Sequence, residues 1–169
     1  MSLQNIKIQT HMKIVKRIIS PALFLILAIA FTSCNKGPVS ETYLTIKNST
    51  WDRFDIKQFD IPVAEPAQTY DITLVVRCSD KFQYDKLPVY AIITTPSGEE
   101  RMREVSVLVR ENGKMITQPE DTKSEARLVL WKGINMAEKG NCKITLENMI
   151  PKIQTDGINE IGIVVTKSE

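Results

Sequence analysis

The segment Tyr70–Arg77, with the sequence YDITLVVR, is the clearest strand signal in the chain. It alternates polar and apolar side chains at its start and is rich in the β-branched residues that strands favour. Similar segments recur at spacings of about 10 to 20 residues, with turn residues between them. We therefore predict an all-β domain, an antiparallel two-sheet β-sandwich of jelly-roll or immunoglobulin-like type with about eight strands.

The predicted strands share short length and a high content of Val, Ile, Thr and aromatic residues. They cover Tyr43–Ile46, Phe54–Ile61, Tyr70–Arg77, Leu87–Thr95, Met102–Arg110, Ala126–Lys132, Cys142–Glu147 and Ile158–Thr166. Pro62 and Pro66 are expected to end the second strand, and the turn Thr95–Gly98 to lead directly into the fifth. The polar segment Lys114–Ser124 is predicted to be a long loop. The pattern leaves the order of strands in the sheets open.

The first 34 residues are typical of a bacterial lipoprotein signal. The basic residues Lys13, Lys16 and Arg17 precede an apolar run, and Thr32-Ser33 leads directly into Cys34. The alternative, a transmembrane anchor, needs about 20 apolar residues, which is more than this run provides. We predict that residues 1–33 are a removed signal peptide, that Cys34 carries a lipid, that residues 34–41 are a flexible tether, and that residues 42–169 form the β-sandwich.

Removal of the signal changes the composition of the chain. Four of its 22 basic residues precede Cys34, which leaves 18 basic against 20 acidic residues in the mature chain of 136 residues. A nucleic-acid partner is not expected, because such binding needs a basic surface. The only histidine, His11, also lies in the signal. Catalytic triads and the common zinc sites are therefore excluded, and no metal, cofactor or catalytic residue is predicted. A hydrolase that used two carboxylates is the remaining enzymatic alternative.

Cys78 and Cys142 are the two other cysteines. Cys78 ends its predicted strand and Cys142 begins another, so a disulfide between them requires that these strands are antiparallel neighbours. An extracytoplasmic compartment permits such a bond. The alternative is that both are buried free thiols that pack as small apolar residues.

The mature domain resembles the GldH-type gliding-motility lipoproteins of Bacteroidetes. The likeness begins at Cys34 and covers most of 51–167, starting from Trp51 and the segment 59–61. The segment 70–77 resembles the family's Tyr-x-Leu-x-Leu-x-x-Arg strand, 82–87 its Tyr-Pro-Tyr-Ser-Asn-Leu segment, 95–98 its Pro-x-Gly hairpin, and 157–163 its closing Gly-Ile-x-Asp-Val-Gly-Leu pattern. Two departures mark the chain as a divergent member: Gly113-Lys114-Met115 replaces an expected Gly-x-Trp-x-Gly stretch, and Phe-Gln-Tyr replaces Tyr-Pro-Tyr.

This resemblance implies a non-catalytic cell-envelope lipoprotein, an accessory or scaffold component of gliding motility or of the associated protein-secretion machinery. Its partners would be the membrane, through the lipid on Cys34, and other envelope proteins. Residues 35–38 lack the acidic cluster that resembles the Bacteroidetes surface-export signal. This favours an outer-membrane location that faces the periplasm.

Aromatic side chains are the candidate contacts for a protein partner. We predict this role for Trp51, Phe82 and Tyr84, with packing in the core as the alternative, and we expect Trp131 to lie in the core. The alternative function is a carbohydrate-binding β-sandwich, which would stack aromatic faces on sugars. With two tryptophans and 7% aromatic residues, the chain offers little for such a surface.

Overall fold

Two four-stranded antiparallel sheets form the domain in the computed structural model, which describes residues 37–116 and 124–168. The described strands, in chain order, are β1 (Ser40–Thr45), β2 (Thr50–Asp52), β3 (Lys57–Val63), β4 (Gln68–Cys78), β5 (Lys86–Thr94), β6 (Glu100–Leu108), β7 (Arg110–Glu111), β8 (Lys114–Met115), β9 (Glu125–Met136), β10 (Gly140–Asn148), β11 (Gln154–Asp156) and β12 (Ile158–Lys167). A 3-10 turn, Lys47–Ser49, follows β1. The predicted all-β sandwich is confirmed.

The strand order shows how the chain wraps. The first sheet has the order β1-β12-β4-β9 and the second has the order β3-β10-β5-β6. Counted along the chain, these eight long strands pair first with eighth, second with seventh, third with sixth and fourth with fifth. The chain therefore folds as one long antiparallel hairpin. Successive strand pairs of this hairpin lie alternately in the first and the second sheet. Of the two predicted sandwich types, the order is that of a jelly roll.

The core lies between the facing sheets because apolar residues alternate along the strands. In β4, Ile72, Leu74 and Val76 point inward and are buried. From the second sheet, Ile144 and Leu146 of β10 belong to the same buried cluster. Trp131 lies in this cluster too, so its predicted core position is confirmed.

The sandwich has an entry end and a distal end. At the entry end the chain enters the first sheet, where the backbone N–H of Val39 donates to the carbonyl of Val165 at 2.7 Å. At the distal end, β12 begins at Ile158, and the N–H of Gly157 donates to the carbonyl of Ser49 at 2.8 Å. The two-stranded ribbon of β2 and β11 lies at this distal end.

The second strand departs from its predicted bounds. It begins at Lys57 rather than Phe54, and it runs through Pro62 to Val63. Pro62 does not end the strand because β3 is an edge strand that pairs only with β10, so its other side needs no N–H donor.

The predicted long loop Lys114–Ser124 is wrong at its start, since Lys114 and Met115 form β8 and pair with β7 across the turn at Asn112-Gly113. Residues 117–123 of that loop lie outside the described residues. The strand predicted to end at Lys132 continues to Met136. Gly133 adopts a φ of 63° there and donates its N–H to Asp71 Oδ1 at 2.8 Å, which accommodates a bulge without ending the strand.

Candidate interaction surface

The predicted lipidation residue, Cys34, lies outside the described residues, as do the predicted signal peptide and the first residues of the tether. The described chain starts at Gly37 and joins the first sheet from β1 onward. In the part of the chain that the structure describes, no helix has the length and apolar character needed to cross a membrane.

Cys78 and Cys142 are buried free thiols that lie on strands of different sheets. The strand pairing that a disulfide between them required is absent, because β4 pairs with β12 and β9 while β10 pairs with β3 and β5. Cys142 lines a small apolar cavity with Ile72, and Ile72 is six residue steps along β4, about 20 Å of strand, from Cys78. A disulfide needs Cα atoms within about 7 Å, so of the two possibilities left open by the sequence, this fold has the buried free thiols.

Burial explains the chemistry of the two thiols. Desolvation raises the pKa of Cys78 to about 12, although the nearby Arg110 guanidinium opposes the shift. Burial alone raises the pKa of Cys142 to about 12. Because the thiolate is the reactive form, both groups are inert at neutral pH and serve as packing residues.

Trp51 is fully buried at the distal end of the core. It lies in β2 opposite Thr155 of β11, and its indole Nε1 donates to the carbonyl of Asp55 at 2.7 Å. With no exposed surface, this side chain cannot contact a partner in the folded domain. Both tryptophans are buried, so neither offers a stacking face for a sugar.

Phe82 is also fully buried, so the prediction that it contacts a partner is wrong for the folded domain. Its backbone lies in close contact with Gly157, where an added Cβ atom would lie 2.1 Å from the Phe82 nitrogen. Arg110 holds the same segment, because its guanidinium donates to the carbonyls of Phe82 and Asp80, each at 3.0 Å. The sequence missed this arrangement because the charged neighbours of Phe82 are typical of an exposed loop.

Tyr84 is the one predicted contact residue that keeps exposed surface. Its ring meets Phe82 edge to face at 5.6 Å, and Lys152 Nζ lies 5.5 Å from the ring centroid. Its hydroxyl has no hydrogen-bond partner within residues 37–116 and 124–168. Its role as a partner contact therefore stays a prediction.

A charged cluster on the outer face of the first sheet was not predicted from the sequence. Glu125 of β9 is 0% exposed and accepts from Arg77 Nε at 2.8 Å and from Arg127 Nε at 2.6 Å. Arg77 also bonds Glu160 of β12, and its guanidinium lies 4.5 Å above the ring of Tyr43 in β1. The cluster therefore joins all four strands of the sheet.

The electrostatics of this cluster favour the charged forms. Burial alone would raise the pKa of Glu125, but hydrogen bonds and attraction from Arg77 and Arg127 outweigh it and hold the pKa below its ordinary value. Burial likewise lowers the pKa of Arg77, and the bonds to Glu125 and Glu160 raise it overall. Because its charges are paired with one another, the cluster links the strands of the sheet through ion pairs.

Large apolar side chains are exposed at the distal end. Phe54 is 82% exposed, Ile56 is 53% exposed and Ile153 is 74% exposed. The N–H of Arg53 donates to the carbonyl of Ile153 at 2.9 Å, so Ile153 lies beside the turn that carries Phe54 and Ile56. Sequence reasoning missed this group because it placed Phe54 and Ile56 in a strand.

Acidic and sulfur side chains are dispersed in the described ranges. No three of His, Cys, Asp and Glu within them are grouped so that they could hold a metal ion.

Comparison with known proteins identifies the family. The model of the GldH lipoprotein family matches residues 38–165. The gliding motility lipoprotein GldH of Flavobacterium johnsoniae is 22% identical over 161 residues, which cover 90% of this chain and 99% of that protein. A GldH homolog of Christiangramia forsetii is 21% identical over 155 residues, which cover 87% of this chain and 94% of that protein.

Similarity to solved structures is weak. The Drosophila NLP core aligns with a TM-score of 0.29 and 8% identity over 77% of this chain and 99% of that one, too little to support an argument. The family model matches nearly the whole described domain. The alignments with the two relatives cover 99% and 94% of those proteins. The chain belongs to the GldH lipoprotein family.

Proposed function

We propose that this chain is a non-catalytic accessory lipoprotein of gliding motility or of the associated protein-secretion machinery. The family match over residues 38–165 carries the proposal, and both relatives are named as gliding motility lipoproteins. In this account the domain acts by contact with other envelope proteins, and the jelly roll is a scaffold that presents those contacts.

The proposed anchor is a lipid on Cys34, after removal of residues 1–33. The matched region starts four residues after this cysteine, so only a short tether separates the lipid from the sandwich. The predicted tether of residues 34–41 overlaps β1, which begins at Ser40, so the linker is residues 34–39 and spans at most about 20 Å when fully extended, which keeps the domain close to the membrane surface. We place the domain on the periplasmic face of the outer membrane, since no acidic cluster follows Cys34.

Deletion of the gene in its own organism tests this function. We expect colonies of the deletion strain to spread less on agar and to release less of the proteins exported through the associated machinery. The full-length gene supplied in trans should restore both. A deletion strain that spreads and secretes as the parent does would contradict the proposal.

Protease treatment of intact cells tests the proposed orientation in the same strain. A domain that faces the periplasm stays intact until the outer membrane is permeabilised. Cleavage in intact cells would instead place the domain on the cell surface, with the anchor unaffected.

A further inference from the structure

The exposed apolar side chains at the distal end lie outside the buried core of the domain. We name Phe54, Ile56 and Ile153 the distal tip. The two most exposed of the large apolar side chains in the described ranges, Phe54 and Ile153, both belong to it. Scattered apolar residues on a surface are ordinary, but exposed apolar residues on two bonded segments, here joined by Arg53 and Ile153, are typical of an interaction site.

The backbone that carries the distal tip is fixed by buried polar contacts. Asn148 is buried and donates from Nδ2 to Thr155 Oγ1 at 2.8 Å and to the carbonyl of Trp51 at 3.3 Å. Its Oδ1 accepts from the N–H of Ile150 at 3.0 Å. The Trp51 indole holds the carbonyl of Asp55 between Phe54 and Ile56. A surface that is already ordered loses little conformational entropy on binding, so it is suited to docking.

The distal tip lies away from the point where the chain enters the domain. Val39 is bonded to Val165, whereas Gly157 is bonded to Ser49 beside the ribbon. The eight residue steps from Gly157 to Val165 span about 26 Å of strand. The tip is thus at the opposite end of the sandwich from the tether that leads to Cys34.

Charge around the distal tip distinguishes two kinds of occupant. The flanking segments 52–57 and 152–156 carry three acidic residues and three basic residues, so their net charge is zero. An anionic bilayer attracts a basic excess, and this surface has none. Balanced charges around apolar side chains instead match the rim and centre of a protein interface.

We infer that the distal tip inserts into an apolar pocket of a partner protein, which meets the domain at the end opposite its anchor. This inference deepens the proposed function and rests on it, since it names the surface through which the accessory lipoprotein makes its contact. The partner is an envelope protein with an apolar pocket large enough for the Phe54 ring.

Site-specific photocrosslinking of the full-length chain in its own cells tests this inference. The photoreactive residue p-benzoylphenylalanine replaces Gln154, an exposed residue beside the tip, or Met102, an exposed side chain on β6. The Gln154 probe is then combined with Phe54→Ser and Ile153→Ser together. We expect one protein adduct from position 154 that falls about tenfold or more in the double serine variant, as for the loss of central interface residues.

Two controls separate docking from other effects. Phe54→Leu keeps an apolar side chain and should retain the adduct, and resistance of each variant to protease in the membrane reports folding. The crosslinked residue of the partner, located by mass spectrometry, should line an apolar pocket.

Four outcomes would overturn the inference: an adduct unchanged by the serine substitutions, no adduct at 154 beyond that at 102, an adduct with lipid, or an adduct between two copies of this chain. A failure of the anchor is recognised separately, because the full-length chain then appears in the soluble fraction instead of the membrane fraction. Failure of the proposed function is scored in the deletion strain, so the three failures remain distinguishable.

Discussion

At the scale of single residues, Glu125 is the one charged side chain that is buried within residues 37–116 and 124–168. A fully buried carboxylate is tolerated because Arg77 and Arg127 each donate to one of its oxygens. The sequence places Glu125 in a charged, solvated run, and it gives no sign that the two arginines converge on it. That convergence depends on β4 and β9 being neighbours, with Arg77 opposite Glu125.

Glu125→Gln is expected to destabilise the domain by about 1–3 kcal/mol at pH 7, because it leaves two arginines without their shared counter-ion. The estimate is below that for a wholly buried pair because the arginine side chains are 22% and 42% exposed. Urea unfolding of the purified domain at pH 7 measures the change. Glu99→Gln is the matched control, since the Glu99–Arg101 pair is exposed and its loss should cost less than about 0.5 kcal/mol.

The difference between Glu125→Gln and the native domain should depend on pH. Because the folded pKa of Glu125 is held below its ordinary value of about 4.3, the carboxylate contributes stability above that value. The contribution is lost as pH falls through the folded pKa, so the two proteins should converge at low pH. A difference that persists unchanged at pH 3 would show that the charge of Glu125 is not the cause.

At the scale of elements, the edge strand β1 packs closely on β12 at a glycine. Tyr43 lies opposite Gly162 of β12, and a Cβ atom at Gly162 would lie 2.3 Å from Cδ1 of the tyrosine ring. The ring therefore packs directly over the glycine backbone, in the position that also brings it beneath Arg77. Gly162 lies in the closing segment that resembles the family pattern, and its role becomes clear only from the pairing of β1 with β12.

Gly162→Ala is expected to destabilise the domain by about 1–3 kcal/mol, because the Tyr43 ring must leave its position. Thermal unfolding of the purified domain measures this. The same substitution at Gly37, where no atom lies within 4 Å of the new Cβ, should have little effect. In a Tyr43→Ala background the cost of Gly162→Ala should largely disappear, and an unchanged cost would show that the ring is not its source.

Elements were predictable where the local sequence determines them. The alternation in β4 and the turn at Thr95–Gly98 identify a strand and a hairpin, and both are observed. The ribbon of β2 and β11 was missed because each strand has three residues, too few for a periodic pattern, and each is stabilised by a partner about 100 residues away. The burial of Trp51 and Phe82 was likewise left open by the sequence, since residues distant in the chain bury them.

At the scale of the whole molecule, the sequence indicates a sandwich but leaves its wrapping undetermined. Strand pairs such as β1 with β12 join the two ends of the domain, and strand patterns alone do not specify such distant partners. The same limit explains why the sequence left a Cys78–Cys142 disulfide open, since that bond required β4 and β10 to pair. In the jelly roll they lie in opposite sheets, with Cys78 and Cys142 toward opposite ends.

At this scale, the described domain is a jelly roll that we propose is held at its entry end by a lipid and presents the distal tip at its other end. Every functional step in this account depends on the anchor at Cys34, because a scaffold that acts by contact must be kept at its membrane. Family membership supports a lipid-anchored envelope protein. The claim that remains to be tested is that Cys34 is the residue that carries the lipid.

Labelling of cells with radioactive palmitate is the most direct test. The full-length chain and Cys142→Ala, which alters a buried thiol, should both incorporate the label and fractionate with membranes. Cys34→Ala should incorporate none. Continued labelling of Cys34→Ala, or absence of label from the native chain, would contradict the account.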